Sequence, residues 1–148
     1  MLRLLFLSAL LLGGCRNIVG PAGSGTYSAE VTGAFTASYS GSMIYGPRSV
    51  TAGPGYHLHL KLPGDLFNGI LFQLPASPRL GTYRIVAGRG QDLGRQEVLS
   101  GLSLPDDVYL GSTGQLHVSS TRPLRGTFQF LADQGDEVIT VSGQFAEE

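Results

Sequence analysis

The sequence YSAEVTGAFTASY, residues 27–39, alternates apolar or small side chains with polar ones along its whole length. Successive side chains of a β-strand point to opposite faces, so a period of two is typical of a strand with one buried face. The stretch therefore predicts one long strand. Gly33 lies in its middle and predicts a bend or a bulge, because glycine inside a strand often marks one.

The rest of the chain continues this pattern. Alternating segments predict further strands at residues 56–62, 81–86, 115–119, 127–130 and 139–145. Residues 70–74 are apolar on both parities, which is typical of a central strand that is covered on two sides. Residues 108–110 predict a possible edge strand. Residues 91–102 show the weakest period and are compatible with a helical turn.

About eight strands in one domain predict an all-β fold, a single antiparallel β-sandwich or a β-barrel. Proline is excluded from central strands because it lacks a backbone N–H, and all eight prolines fall between the predicted strands. The chain has no tryptophan and a single cysteine, which argues against an antibody-type sandwich.

The amino-terminal residues have the features of an export signal. Arg3 precedes an apolar run at residues 4–12, and Gly13 and Gly14 follow it. A basic start, an apolar core and small residues before a cleavage site form a secretory signal. A run of about 10 residues is too short to remain as a transmembrane helix, which needs about 20.

The sequence Leu12-Gly13-Gly14-Cys15 resembles the lipobox of bacterial lipoproteins. This resemblance implies a thioether between Cys15 and diacylglycerol, and cleavage just before Cys15. Arg16 follows the cysteine in place of the aspartate that resembles an inner-membrane retention signal. We therefore expect a cell-envelope location, on the periplasmic face of the outer membrane if the cell has one. In the alternative, the leader is a buried first strand and Cys15 an ordinary apolar residue.

The predicted division of the 148 residues is a signal peptide at 1–14, a lipidated cysteine with a flexible tether at 15–26, and an all-β domain at 27–148. The net charge is −1, and charged residues are only 14% of the chain. Nucleic-acid binding needs a clustered basic surface, so we expect no nucleic-acid partner. The expected partners are the membrane, through the lipid on Cys15, and envelope proteins or glycans.

The end of the chain carries a second resemblance. Residues 114–118, then Leu124-Arg125-Gly126-Thr127-Phe128-Gln129-Phe130 and then residues 138–145 are similar to the closing strands of small uncharacterised β-rich lipoproteins of environmental bacteria. Those strands read G-T-F-x-F and V-x-G-x-F. The resemblance covers the last quarter of the chain and implies fold and location, but no activity.

Three histidines are the strongest candidates for a metal site. Residues two apart on a strand share a face, with side chains about 7 Å apart, so His57 and His59 are spaced to share one ion. His117 becomes a third ligand if its strand lies nearby. The alternative is that His57 and His59 simply belong to the solvated face of an amphipathic strand.

Three functional hypotheses follow. The first is a membrane-anchored lipoprotein whose β-domain is a non-enzymatic structural or interaction module, because no complete catalytic motif is present. The second is a β-barrel that binds a small apolar ligand or lipid among its tyrosines and phenylalanines. The third is a metal-dependent enzyme that uses His57 and His59. No motif predicts a cofactor.

Overall fold

The computed structural model describes residues 21–48, 55–88 and 92–148 of the chain. These residues form nine β-strands: β1 Gly23–Gly33, β2 Ala37–Pro47, β3 Tyr56–Lys61, β4 Gly69–Leu74, β5 Gly81–Val86, β6 Glu97–Ser103, β7 Val108–Thr121, β8 Leu124–Gln134 and β9 Glu137–Glu147. Cys15 and the lipobox residues 12–14 lie outside the described residues.

The strands close into a barrel in the order β1-β2-β3-β4-β6-β5-β7-β8-β9, with β9 paired to β1. This confirms the predicted all-β fold and makes it a barrel. The sheet is not purely antiparallel, because β5 pairs with β6 in parallel. The strands of the described residues all lie between Gly23 and Glu147, so residues 16–148 contain all nine of them.

Residues 27–39, which the alternation predicts as one long strand, belong to the two strands β1 and β2. Gly33 ends β1 with a φ of 114°, a conformation that favours glycine, and the chain turns back so that Val31 faces Ala37. Val31 and Ala37 both have odd numbers, so the same parity faces the core on both strands. The alternation therefore continues through the turn, which explains why the sequence reads as one strand.

Other boundaries also differ from the predictions. The segment at 108–110 is not an edge strand, because it starts the 14-residue β7 and pairs with β6 and β8. The uncertain segment at 91–102 contains the start of β6 instead of a helical turn. Strand β1 begins at Gly23, inside the predicted tether. Strand β4 is covered on its inner face only, and Leu71 on its outer face stays partly exposed.

Aromatic rings fill the centre of the barrel. The Phe72 ring lies 5.2 Å from that of Phe128 and 5.8 Å from that of Phe130, measured between centroids, and all three side chains are buried. Aliphatic and tyrosine side chains from every strand surround them, and the described part of the chain has no buried polar or charged residue. The core is therefore a single apolar cluster.

The two closing strands pack through a reciprocal glycine–phenylalanine arrangement. Gly126 of β8 faces Phe145 of β9, and Phe128 of β8 faces Gly143 of β9. A Cβ atom on Gly126 would lie 2.5 Å from the Phe145 ring, and one on Gly143 would lie 2.6 Å from the Phe128 ring. Each glycine thus leaves the space that the opposite ring occupies, which gives the G-x-F spacing of both strands a packing role.

Candidate functional site

The barrel wall has a short seam between β5 and β6. The two strands share only two residue pairs, Arg84 with Glu97 and Ile85 with Val98. The first residues of β5 pair with β7 on one side only, and the segment that leads into β6 runs beside them. One hydrogen bond links that segment to β5, from the Arg84 backbone N to the Gln96 carbonyl oxygen, at 2.8 Å.

A concavity of about 890 Å³ opens outward at this seam. We call it the arginine groove, because three arginines are among its lining residues: Arg79, Arg84 and Arg95, with Glu97, Tyr83 and Gln115. Its volume lies in the range of small-molecule sites, which is about 300–1,000 Å³. The groove is therefore large enough for several sugar-sized units.

Glu97 neutralises one of the three arginines. Its carboxylate forms a salt bridge with the Arg84 guanidinium and also accepts a hydrogen bond from the Gly94 backbone N at 2.9 Å. The Gly94 hydrogen bond, followed by the Arg84 contact, lowers the pKa of Glu97 below its ordinary value, because both favour the charged form. Glu97 is therefore ionised at neutral pH, and Arg84 is matched by one negative charge.

Arg79 and Arg95 carry the remaining positive charge of the groove. Both are exposed, and no carboxylate of the described residues pairs with either guanidinium. Both also line an adjoining concavity of about 360 Å³. Tyr83 fixes the backbone next to Arg79, because its hydroxyl oxygen accepts a hydrogen bond from the Arg79 N at 2.9 Å. The site thus presents two unpaired guanidinium groups, whose planar donors match phosphate and carboxylate oxygens.

The three histidines do not come together. His57 and His59 lie on the outer face of β3, while His117 lies on β7, and β4, β6 and β5 separate the two strands in the sheet. Among the described residues, no group of three or more His, Cys, Asp or Glu side chains could hold a metal ion. The condition that made His117 a third ligand is therefore not met.

His117 instead borders the arginine groove. Its Nδ1 lies 3.0 Å from the Thr82 hydroxyl oxygen, and Thr82 lines the groove. His57 and His59 are half-buried, and desolvation lowers the pKa of both below the ordinary 6.5. The charge of Arg48 lowers the pKa of His57 further. For His59, a hydrogen bond with the Asn68 backbone opposes the effect of burial, and the charge of Lys61 adds to it. Both imidazoles are therefore neutral at neutral pH.

The apolar concavity of the barrel is outside rather than inside. A groove of about 340 Å³ lies across the outer face of β4, β6 and β7, with Leu71, Leu99 and Leu110 in its lining and Gly101 between them. The centre, where the second hypothesis placed a ligand, holds the rings of Phe72, Phe128 and Phe130. A ligand at that position would have to displace them.

Sequence reasoning missed the arginine groove. Arg84 stood on the outward parity of a predicted strand, but Arg79 and Arg95 lie in segments without a period, 16 residues apart. Only the pairing of β5 with β6 brings them to one site. The described residues contain no helix that is long and apolar enough to cross a membrane.

Comparisons with protein-family models, with curated proteins and with solved structures give no match to this chain.

Proposed function

We propose that this protein is a lipid-anchored envelope lipoprotein whose barrel is a non-enzymatic binding module, and that the arginine groove binds an anionic ligand. The ligand chemistry is a phosphate or a carboxylate on an envelope glycan or on another envelope component. The anchor is the lipid that the lipobox resemblance implies on Cys15.

One observation carries the ligand proposal. Arg79 and Arg95 are unpaired guanidinium groups at the edge of a concavity of about 890 Å³, in which the nearest carboxylate, that of Glu97, already has its own partners. Two guanidinium groups that line the same concavity can both donate hydrogen bonds to one bound anion. Charge-assisted hydrogen bonds to such an anion are about twice as strong as neutral ones.

The test is a titration of residues 16–148 with acidic oligosaccharides, followed by NMR of the backbone amides. One arm uses a uronic-acid oligosaccharide and the other a phosphorylated one, so the two sources of negative charge are compared. We expect chemical-shift changes at residues 79–84, 94–97 and 113–115. Each charged hydrogen bond contributes about 1.5–3 kcal/mol, so Arg79→Gln with Arg95→Gln should weaken binding at least about tenfold.

The matched control removes the same charge elsewhere. Arg122→Gln with Arg125→Gln also removes two positive charges, but neither residue lines the groove. This control variant should bind as the unmodified domain does. Equal weakening by both variants, equal binding of a neutral oligosaccharide, or no binding of either anion would overturn the ligand proposal.

A further inference from the structure

The ends of the barrel carry opposite charge. We call the end where β1 begins the entry end, since the amino-terminal segment joins the barrel there; β2, β4, β7 and β9 end there. Four turns form the far end, those after β1, β3, β6 and β8. Most arginines lie towards the entry end and most carboxylates towards the far end.

Among the described residues, the entry end carries five arginines and two side-chain carboxylates, a net charge of +3: Arg48, Arg79, Arg95, Arg122 and Arg125, with Glu147 and Glu148. The Arg84–Glu97 pair lies about midway along the barrel, since Arg84 pairs with Gln115 in the middle of β7, and its two charges cancel. The far end carries one lysine and seven carboxylates, a net charge of −6: Lys61, with Glu30, Asp65, Asp106, Asp107, Asp133, Asp136 and Glu137. Positive and negative charges are therefore separated along the axis of the barrel, although its total charge is small.

Three arginines that do not line the groove lie at the entry end. We call Arg48, Arg122 and Arg125 the rim arginines. Arg48 follows the end of β2. Arg122 lies close enough to Tyr45 for its positive charge to act on the pKa of the Tyr45 hydroxyl and lower it. The Tyr45 ring itself packs beside Gly23, where β1 begins. Arg125 is exposed on β8 and pairs with Ala146, which pairs with Thr26 of β1.

One carboxylate near the rim arginines already has hydrogen-bond donors of its own. The Glu147 carboxylate accepts hydrogen bonds from the Tyr45 hydroxyl at 2.9 Å and from the Leu124 backbone N at 2.6 Å. No salt bridge joins a rim arginine to a carboxylate within the described residues. The rim arginines are therefore free to meet an external negative surface.

We propose that the entry end docks on an anionic phospholipid membrane and holds the barrel upright, with the acidic far end pointing away. This rests on the anchor at Cys15 proposed above. The residues from Cys15 to Gly23 reach at most about 30 Å when extended, which is similar to the height of the barrel. The tether thus keeps the barrel close to the bilayer, and the charges select its orientation.

The attraction between the arginines and an anionic bilayer falls off steeply with distance. At physiological salt the Debye length is about 8 Å, so only the end nearest the bilayer feels its charge. An arginine near an anionic surface gains about 1 kcal/mol, which is a factor of about five in population. Carboxylates brought to the same surface are repelled, so the upright orientation is favoured over one in which the far end approaches the bilayer.

The experiment replaces the lipid with a tether that does not depend on the lipobox. Residues 16–148 carry an amino-terminal histidine tag and are attached to vesicles that contain a nickel-chelating lipid. A donor dye sits on the exposed far-end position, as Gln134→Cys, and an acceptor dye labels the vesicle surface. On phosphatidylglycerol vesicles we expect weak energy transfer, and on phosphatidylcholine vesicles stronger transfer, because the barrel then also lies on its side.

Two variants with the same change in charge separate location from total charge. Arg48→Gln with Arg122→Gln and Arg125→Gln should shift the upright population about a hundredfold and raise the transfer on anionic vesicles to the neutral-vesicle value. Lys61→Gln with Thr32→Glu and Thr36→Glu lowers the charge of the far end by the same three units and should keep the transfer low. High salt should remove the difference between the two lipids.

The outcomes separate this proposal from the anchor. Equal transfer on both lipids, or equal effects of the two variants, would overturn the membrane-facing entry end. The anchor is tested apart, by mass spectrometry of full-length protein from the membrane fraction. An intact amino terminus and a free Cys15 thiol would overturn the lipid anchor while the vesicle result would still stand for the domain.

Discussion

His57 and His59 both affect how the stability of the folded protein depends on pH. Both lie on the outer face of β3, and burial holds the pKa of each below 6.5 in the folded state. An unfolded chain binds protons at its histidines at a higher pH than the folded chain does. The folded state therefore has its full stability from these groups above about pH 6.5 and loses it as the pH falls towards the folded pKa values.

The prediction at the residue scale is a free energy of unfolding that falls as the pH drops below about 6.5. We expect His57→Gln with His59→Gln to reduce this fall, since glutamine takes up no proton. The measurement is the free energy of unfolding from urea titrations at each pH. His117→Gln is the control, because His117 is exposed on β7, and it should keep more of the pH dependence. An unchanged slope in the double variant would contradict the prediction.

Ser100 helps to explain why the sequence pattern does not indicate strand β6. It points towards the core from β6, its Oγ is buried, and no described group forms a hydrogen bond with it. A Cβ atom on Gly111 would lie only 2.1 Å from that oxygen, so the glycine makes room for the hydroxyl. A polar residue on the inner face and Leu99 on the outer face together remove the period from this segment.

At the scale of the element, strands β8 and β9 depend on two glycines. A Cβ atom on Gly143 would meet not only the Phe128 ring but also the Ser28 carbonyl oxygen of β1, at 2.3 Å. A ring can shift, whereas a carbonyl oxygen within a closed sheet cannot move without breaking the ladder. The glycine is therefore required by the backbone of the neighbouring strand as well as by the ring.

We predict that Gly143→Ala lowers the free energy of unfolding by about 2 kcal/mol or more, as overpacking of a dense interior does. A second change, Phe128→Leu, should not restore the loss, because the contact with the Ser28 oxygen remains. Thermal and urea unfolding of the single and double variants measure both effects.

The control is Gly46→Ala, on β2. Its Cβ atom would have only one close contact, the Ala22 Cβ atom at 3.3 Å, and no backbone atom of a neighbouring strand. We expect its stability to stay within about 1 kcal/mol of the unmodified protein. Full rescue of Gly143→Ala by Phe128→Leu would show that the ring alone excludes a side chain at this position.

At the scale of the whole molecule, the ring cluster on the barrel axis sets what the barrel can hold. Phe72 comes from β4, whereas Phe128 and Phe130 come from β8, so the rings connect opposite walls. Removing one of them leaves a space that the surrounding walls cannot easily fill, because the closed hydrogen-bonded ladder limits their movement. The barrel acts as a packed core rather than as a container.

Phe72→Ala should therefore lower the free energy of unfolding by about 3–5 kcal/mol and create an apolar cavity. Engineered apolar cavities stay dry and bind xenon or benzene, so the variant should bind xenon by NMR while the unmodified protein does not. Leu131→Ala, on the outer face of β8, is the control and should cost about 1 kcal/mol or less. Xenon binding in the barrel axis of the unmodified protein would revive the apolar-ligand hypothesis.

The sequence predicts most strands correctly because one face of each strand is buried and the other is exposed to solvent, so apolar and polar residues alternate. It predicts the segments at 56–62, 81–86 and 127–130 from alternation alone, and the structure places β3, β5 and β8 there. It merges β1 with β2 because the turn after Gly33 preserves parity. It misses β6 because the polar Ser100 lies on the inner face of this strand and the apolar Leu99 lies on its outer face, so the sequence does not alternate as expected.

The site is harder to predict than the strands for a topological reason. Alternation shows which side chains point outward, but it does not show which strands are neighbours. Arg79 and Arg95 become neighbours only because β6 inserts between β4 and β5. The separation of His117 from His57 has the same origin, since it depends on strand order rather than on parity.

The seam between β5 and β6 also governs how the barrel fluctuates. Here β5 and β6 share two residue pairs and β6 and β7 share three, whereas the other neighbouring strands share five or more. Local opening needs the least free energy where the fewest backbone hydrogen bonds break, so the barrel should breathe at this point first. An anion bridging Arg79 and Arg95 would tie the two margins of the opening together, and occupancy of the groove would then slow amide exchange around the entire ring.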